Sequence, residues 1–553
     1  MKKIITIITA AALCTLSLGS CIKEIEPSGG TATEKQVTLE TLLRGIPAAM
    51  VKAGSAGYSG QGAAWDFGYP AIHLAMESMT GDLVITGSIG YDWFNQWGTN
   101  EALGGDYAVC VLTWNTFYTW IDMANQVIKK INVNGDMTGL DATQRAYLGQ
   151  AYAYRAMFYL DLVRMYEFRP NTVTDGPNVE GLGVPIVLPD TKESDGKNNP
   201  RAKVDDIYNN VIFPDLDMAE ALLSGYTAPD KYTIGLPFVY GLKARAWLER
   251  GKPTDNSEDD VEAFTYAAEY ARKAISASGC TPLTRDEWED PSNGFNNANS
   301  NNSWIWALAL PSESVAPLFC FTAHMAAESW SAYASEVGRG INKNLYNSID
   351  NRDFRKRSWL DPNRSVYNYR SCRKDGDEWF TERLKDYCNI KFRPAQGNYI
   401  DFMVGGAADH CCMRVEEMYF IEAEATAHIP GRLPEAAQML NNFMNNYRII
   451  DANYKYDCTN RARTIETFTN ELMLQKRIEF WGEGIVMFDM KRLNMSSRRG
   501  YVGTNSPASY RLNCDGRAPY WNFVISRGET QNNTAIEDYN NPDPSGKIKP
   551  WTE

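Results

Sequence analysis

Apolar residues recur at helical spacing along most of this chain. Over residues 107–130, Val111, Trp114, Tyr118, Ile121 and Asn125 fall on one stripe. Over residues 141–167, Tyr147, Ala151, Tyr154, Phe158 and Leu162 do the same. Steps of three and four residues put side chains on one face of an α-helix, and the short turn between these segments predicts an antiparallel pair. A second pair is predicted over 203–223 and 238–250, with Gly251 placed to end it. The next helix spans 261–278 with Ala267, Ala271 and Ala274 in register, and a later pair spans 413–428 and 433–447. Gly241, Ala244, Ala423, Ala425, Ala436 and Ala437 are small where two helices would have to approach closely. Small residues at such crossings are the mark of tetratricopeptide packing. The predicted fold is mostly α, a tetratricopeptide-like scaffold of helical pairs with long irregular loop insertions; an ordinary helical bundle is the alternative.

Between the helical stretches the periodicity fades. Residues 281–407 read as an irregular insertion, with an Asn-rich loop at 293–302 and a short strand-like alternation at Trp304-Ile305-Trp306. A long irregular insertion in a compact domain is usually functional. The chain thus divides into a helical region 37–280 carrying a Gly-rich loop 81–105, the insertion 281–407, helical pairs 408–495 and an irregular tail 496–553. Leu474, Ile478, Trp481, Ile485 and Phe488 form a 4-3-4-3 stripe, read as one buried C-terminal helix with structural ion pairs along its flanks.

The first twenty residues have a different character. Lys2 and Lys3 precede an apolar run from Ile4 to Leu18. This is a secretory leader rather than a membrane span, which needs about 20 apolar residues. Leu18-Gly19-Ser20-Cys21 matches a lipobox, so residues 1–20 are expected to be removed and Cys21 to carry a lipid. Residues 21–36 are expected to be a flexible tether, since Pro27-Ser28-Gly29-Gly30-Thr31 within them is small and polar. No other stretch is apolar enough to span a bilayer. The net charge of −13 excludes a nucleic-acid partner, which needs a basic face. Of the 11 cysteines, Cys14 leaves with the leader and Cys21 is lipidated; the odd number remaining leaves at least one thiol free or paired between chains. No C-x-x-C pair is present. His410-Cys411-Cys412 is not expected to hold a metal, because adjacent residues on a helix diverge.

Four residue sets carry a resemblance to a known family. One is the lipobox ending at Cys21. The second is Arg155-Ala156-Met157-Phe158-Tyr159-Leu160-Asp161-Leu162-Val163-Arg164-Met165-Tyr166, followed by Val184-Pro185. The third comprises Arg477-Ile478-Glu479-Phe480, Glu483-Gly484 and Phe488-Asp489-Met490-Lys491-Arg492, with Val486 where the family usually has an arginine. The fourth is Ile525-Ser526-Arg527-Gly528-Glu529 ahead of Asn540-Asn541-Pro542, with Ser526 replacing a proline. In this ordered set the chain resembles the SusD/RagB family of Bacteroidetes surface lipoproteins. Glu24 and Glu26 also resemble the acidic signal that sends such lipoproteins to the cell surface. The resemblance implies eight helices in four pairs, docked on a SusC-like TonB-dependent outer-membrane transporter. It implies loops that capture an oligosaccharide, or in some members a peptide, and it implies neither catalysis nor a cofactor.

Candidate ligand residues are aromatics outside the helical stripes, in a chain with 15 Trp and 30 Tyr. A flat indole covers the C–H face of a sugar ring while Asp and Asn bond its hydroxyl rim. Asp92, Trp93, Asn95 and Trp97 offer both within the Gly-rich loop. Trp304, Trp306, Trp330 and Tyr333 lie in the insertion, Arg339 sits just before Gly340, and Trp65 and Tyr69 precede a helix near the first cluster. Arg155, Asp161 and Arg164 read as structural. No nucleophile elbow, phosphate loop or H-E-x-x-H motif appears. A lipid-anchored glycoside hydrolase and an outer-membrane scaffold protein remain the readings from other classes.

Overall fold

The computed structural model describes residues 38–54, 56, 64–87, 89, 92–131, 137–252, 257–365, 371–376 and 378–553. The expected leader 1–20, the expected lipid-bearing Cys21 and the expected tether 21–36 lie outside them. The chain enters through α1 (Leu39–Met50), α2 (Tyr69–Thr80), β1 (Leu83–Ile85) and the short α3 (Trp93–Gly98). The scaffold follows as α4 (Ala108–Ile131), α5 (Ala142–Tyr166), α6 (Phe213–Leu222), α7 (Leu236–Arg250) and α8 (Glu258–Ser278). After the insertion, which contributes β2 (Trp304–Leu308) and β3 (Arg339–Ile341), come β4 (His410–Arg414), α9 (Val415–His428), α10 (Leu433–Tyr447), α11 (Ile465–Glu479) and α12 (Val486–Arg492). Each helix from α4 to α11 packs on the next, giving four consecutive pairs. The protein is mostly α-helical with little sheet, as the hydrophobic periodicity predicted.

Local chemistry explains the boundaries. Asp141 and Gln144 form a reciprocal capping box at the start of α5, satisfying two backbone donors. Helix α5 is enclosed on nearly every face, so its polar residues need partners. Arg155 forks onto Asp215 at 2.8 and 2.7 Å, and Asp161 accepts from Tyr69 at 2.7 Å and from Arg164. The segment predicted as one helix over 203–223 instead widens into a π turn over Tyr208–Ile212 before α6. Pro214 lacks the N–H that an α turn would use there, and its ring would crowd the carbonyl four residues back.

Two other elements differ from the sequence reading. The stripe running through Leu474 and Phe488 belongs to two helices rather than one. Gly482 (φ +80°) and Gly484 (φ +78°) reverse the chain between α11 and α12. A Cβ on Gly484 would lie 2.4 Å from the His73 carbonyl oxygen, so only glycine fits. Trp481 falls in the turn and stays buried, donating from its indole to the Asp82 carbonyl at 3.0 Å. His410-Cys411-Cys412 lies on strand β4, not on a helix, and pairs antiparallel with β2. Alternate strand residues face opposite sides, so the three side chains still diverge. Among the described residues, no group of three His, Cys, Asp or Glu side chains is arranged to hold a metal.

Among the described residues the main apolar core runs from Leu43 to Ile536, and the insertion adds two small clusters, one around Leu360 and Ile390 and one around Val315 and Cys320. The β1–β3 and β2–β4 pairs stitch the insertion to the two helical regions. The tail has little regular structure but is pinned by side chains. Asn541 donates to the carbonyls of Tyr166 and Phe523 at 2.8 and 2.7 Å and accepts from Arg201 at 3.0 Å. All nine cysteines described are free thiols. Among the described residues, no helix is long and apolar enough to cross a membrane.

Candidate ligand-binding site

Helix α3 spans six residues, and its two tryptophans, four apart, share a face. Packing then separates them. Trp97 is 1% exposed, edge-on to Trp65 at 6.4 Å and to Phe94 at 5.1 Å. Trp93 is only partly covered by the core. Asn95 is half-buried; its side chain donates to the Gly87 carbonyl, and its own carbonyl accepts from the Tyr510 hydroxyl at 2.8 Å. Asp92 is buried against Arg339 at 2.8 Å, with both side chains wholly enclosed. Asp92 and Arg339, singled out as ligand contacts, instead join the loop to β3 and are closed to a ligand in this conformation.

The second cluster divides in the same way. Trp304 and Trp306 are enclosed on β2, where Trp306 packs on Tyr154 and Phe238 and donates to the Tyr232 carbonyl at 3.2 Å. Tyr333 is buried and stacks on His324 with ring centres 4.7 Å apart. Trp65 and Tyr69 are buried as well; Tyr69 is the first residue of α2, not a loop residue ahead of it. Burial and the neighbouring Asp161 carboxylate push the Tyr69 phenol well above its ordinary range, so it acts there as a hydrogen-bond donor. Trp330 is half-exposed. Its indole N–H donates to the Pro317 carbonyl at 2.8 Å, and its ring lies against the backbone of Gly405 and Gly406. A Cβ at Gly406 would come within 3.2 Å of that ring, so the glycines permit the close approach.

The structure also joins two clusters that are distant in sequence. His324 stacks between Phe67 at 5.4 Å and Tyr333 at 4.7 Å, with the edge of Phe94 at 5.0 Å. Its Nε2 lies 2.7 Å from the Ala64 carbonyl oxygen and 3.1 Å from that of Leu318. Burial lowers the His324 pKa to about 4, so the ring is neutral at physiological pH and donates one proton to these acceptors. Trp93 lies against the main core that this stack belongs to, whereas Trp330 packs with Phe402 on a smaller cluster of Val315, Cys320 and Ala323.

Beside Trp330 the surface is apolar. Phe402 meets it at 6.3 Å, and Leu318, Met403 and Ile400 are 41%, 43% and 78% exposed. The sequence reading did not single out these four residues. The available signal was Phe402-Met403-Val404 running straight into Gly405-Gly406, an apolar turn with no place in a helical stripe. Each half-open indole can stack on a ring, and beside Trp93 the amides of Asn95 and the exposed Gln96 can bond its rim. No paired nucleophile and base is arranged among them.

A paired-helix scaffold with partly open aromatic residues on its loops is the arrangement the structure presents. The comparisons with known proteins specify its family. A family profile described as starch-binding and associating with the outer membrane matches residues 64–234, and the SusD family profile matches residues 330–549. The chain belongs to the SusD/RagB family. Proteins of this family bind ligands rather than transform them, associate with the outer membrane and work with SusC-type transporters. No curated protein sequence matches the chain. Among solved structures, a SusD-like carbohydrate-binding protein from Bacteroides vulgatus is 20% identical with a TM-score of 0.66, over 91% of this chain and 97% of that one. A SusD superfamily protein from Bacteroides thetaiotaomicron is 18% identical with a TM-score of 0.66, over 92% of this chain and 100% of that one. Surface glycan-binding protein A from Bacteroides uniformis is 16% identical with a TM-score of 0.60, over 91% and 98%. At these identities the likeness establishes the fold.

Proposed function

We propose that this protein is a cell-surface glycan-binding lipoprotein, held on the outer membrane through Cys21, that captures an oligosaccharide and delivers it to a SusC-like TonB-dependent transporter. The observation that carries the reading is the pair of half-open indoles, Trp93 packed on the main core and Trp330 held by its hydrogen bond to the Pro317 carbonyl, so that each has little freedom to lose on binding. Asn95 and Gln96 supply amides for the hydroxyl rim. Family membership and the lipobox support the anchored, transporter-coupled setting.

A glycan array probed with the mature chain tests this. Binding to a defined set of oligosaccharides is expected, and Trp93→Ala or Trp330→Ala should each cost about 2 kcal/mol against the best array hit. A blank array would count against the glycan reading. A second reading, a peptide ligand, has its own support: Leu318, Met403 and Ile400 expose aliphatic surface beside Trp330 that suits apolar side chains. A peptide library probed in parallel separates the two.

A further inference from the structure

A second concavity lies away from the aromatic loops, built from other elements. It is a cleft of about 420 Å³, within the roughly 300–1,000 Å³ range of small-molecule sites. One wall is the insertion segment around Ile349 and Asp350, the second is the connection between α10 and α11, and the third is one side of α11. The walls are joined through their backbones: Asp353 bridges Ile449, and the Ile450 N–H donates to the Arg352 carbonyl at 3.0 Å. Leu474, placed in the core by its helical stripe, is only half-buried and opens on this cleft with Ile349, Ile449 and Ile478.

Its polar groups are fixed before any ligand arrives. Arg352 forks onto Asp350 at 2.8 and 2.6 Å, and its guanidinium lies 3.3 Å from the centre of the half-buried Tyr454 ring. Arg461 reaches Glu471 at 3.1 and 3.0 Å, and the Tyr456 hydroxyl donates to the same carboxylate at 2.5 Å. The hydrogen bonds from Arg352 hold the Asp350 carboxyl below its ordinary range. Burial would raise Glu471, but the bonds from Arg461 and Tyr456 outweigh it and hold that carboxyl below its range too. Both carboxylates are therefore charged acceptors at neutral pH with lone pairs to spare. Their charges are cancelled by Arg352 and Arg461, and Asp353 is cancelled by Arg355 at 2.6 Å. Each carboxylate of the cleft is engaged by an arginine and its lining arginine is committed to Glu471, so neither a cation nor an anion finds an open charge there. An aliphatic floor, one aromatic ring and a rim of fixed acceptors and donors match an uncharged ring that carries hydroxyls.

We propose that this cleft is a second saccharide subsite, taking a neutral sugar ring or the end of a short chain independently of the Trp93–Trp330 face. It rests on the reading that the ligand is a glycan, and it adds a second point of attachment to the same surface. Two modest sites on one protein hold a multivalent polysaccharide more firmly than either alone.

Saturation-transfer NMR on the mature chain tests it, with a panel of methyl α- and β-glycosides of glucose, galactose, mannose and xylose as probes. On the Trp93→Ala/Trp330→Ala background, at least one glycoside is expected to keep its signal. Adding Tyr454→Ala, or filling the cleft with Leu474→Trp, should lower that affinity about tenfold, equivalent to about 1.4 kcal/mol. Two separate cleft variants, each checked by thermal melting, protect the result against a misfolded one. Signal lost with Trp93→Ala/Trp330→Ala alone, or unmoved by both cleft variants, overturns the second subsite and leaves the first site standing. No signal from any glycoside on the wild-type chain overturns both.

Discussion

Glu77 is enclosed in α2 and accepts the Gly484 N–H at 3.1 Å. Burial raises its carboxyl from 4.5 to about 8, so the folded chain keeps a proton there that the unfolded chain releases above pH 4.5. The unfolded state then binds fewer protons, and the stability owed to Glu77 falls as pH rises from 4.5 toward about 8. Glu77→Gln should remove that slope. Melting temperatures of the two proteins should match most closely in mild acid, and the variant should gain on the wild type as the buffer approaches pH 8. A constant difference across this window would contradict the assignment. At the same scale, the sequence could propose Trp93 and Trp97 together but could not separate them. They stand four apart on one short helix, and Trp97 is covered by Trp65, a residue 32 positions away. Asp92 and Arg339 posed the same difficulty: each alone is a plausible ligand group, and only their 2.8 Å contact reveals a strut.

Among the elements, α11 carries the densest charge network. Glu479 accepts from Arg355, Arg414 and Arg448 at 2.7–2.8 Å, and Glu483 accepts from Arg414 and Lys391. Burial alone would raise the Glu479 carboxyl, but the three guanidinium groups hold it well below the ordinary range. Removing one member leaves buried cations unpaired, so Glu479→Ala should destabilise the fold by about 3–5 kcal/mol in denaturant titration. Gly484→Ala should also destabilise, because it needs a left-handed backbone and meets the His73 backbone. A small effect at either position would mean that the turn or the network relaxes. The helices were legible because their apolar stripes are long, and α4, α7, α9 and α10 begin and end within about three residues of the predicted bounds. The break between α11 and α12 was not, because Gly482 and Gly484 interrupt the backbone without interrupting the apolar spacing. Strand β4 was hidden for a similar reason: five residues next to a helix carry too short a period to separate from it.

For the whole molecule, the main core ties much of the insertion and the tail to the helical scaffold, so the loops of the candidate site are anchored at their bases. The tail shows how. Gly104 leaves room for the Asp543 carboxylate, which a Cβ would meet at 2.2 Å, and Asn100 and Leu103 bond the residues that follow Asp543. The Gly-rich character of the 81–105 loop, read as a setting for ligand, is at Gly104 a seat for the C-terminal segment. Asn541→Ala should therefore lower the melting temperature and weaken ligand binding together, since it frees the strap that holds this loop. Scaffold and family were open to sequence reading because both rest on patterns within single segments. The site was only half open to it, because exposure depends on contacts such as His324 with Phe67, Phe94 and Tyr333, which no local pattern encodes. The most direct test is calorimetric titration of the mature protein and its Trp93→Ala/Trp330→Ala variant with the oligosaccharide that scores best on an array, followed by sizing of the recovered sugar. The account predicts saturable binding by the wild type, binding weakened at least tenfold in the variant, and sugar recovered at its original length. Equal affinity in both proteins, or shortened sugar, would contradict it.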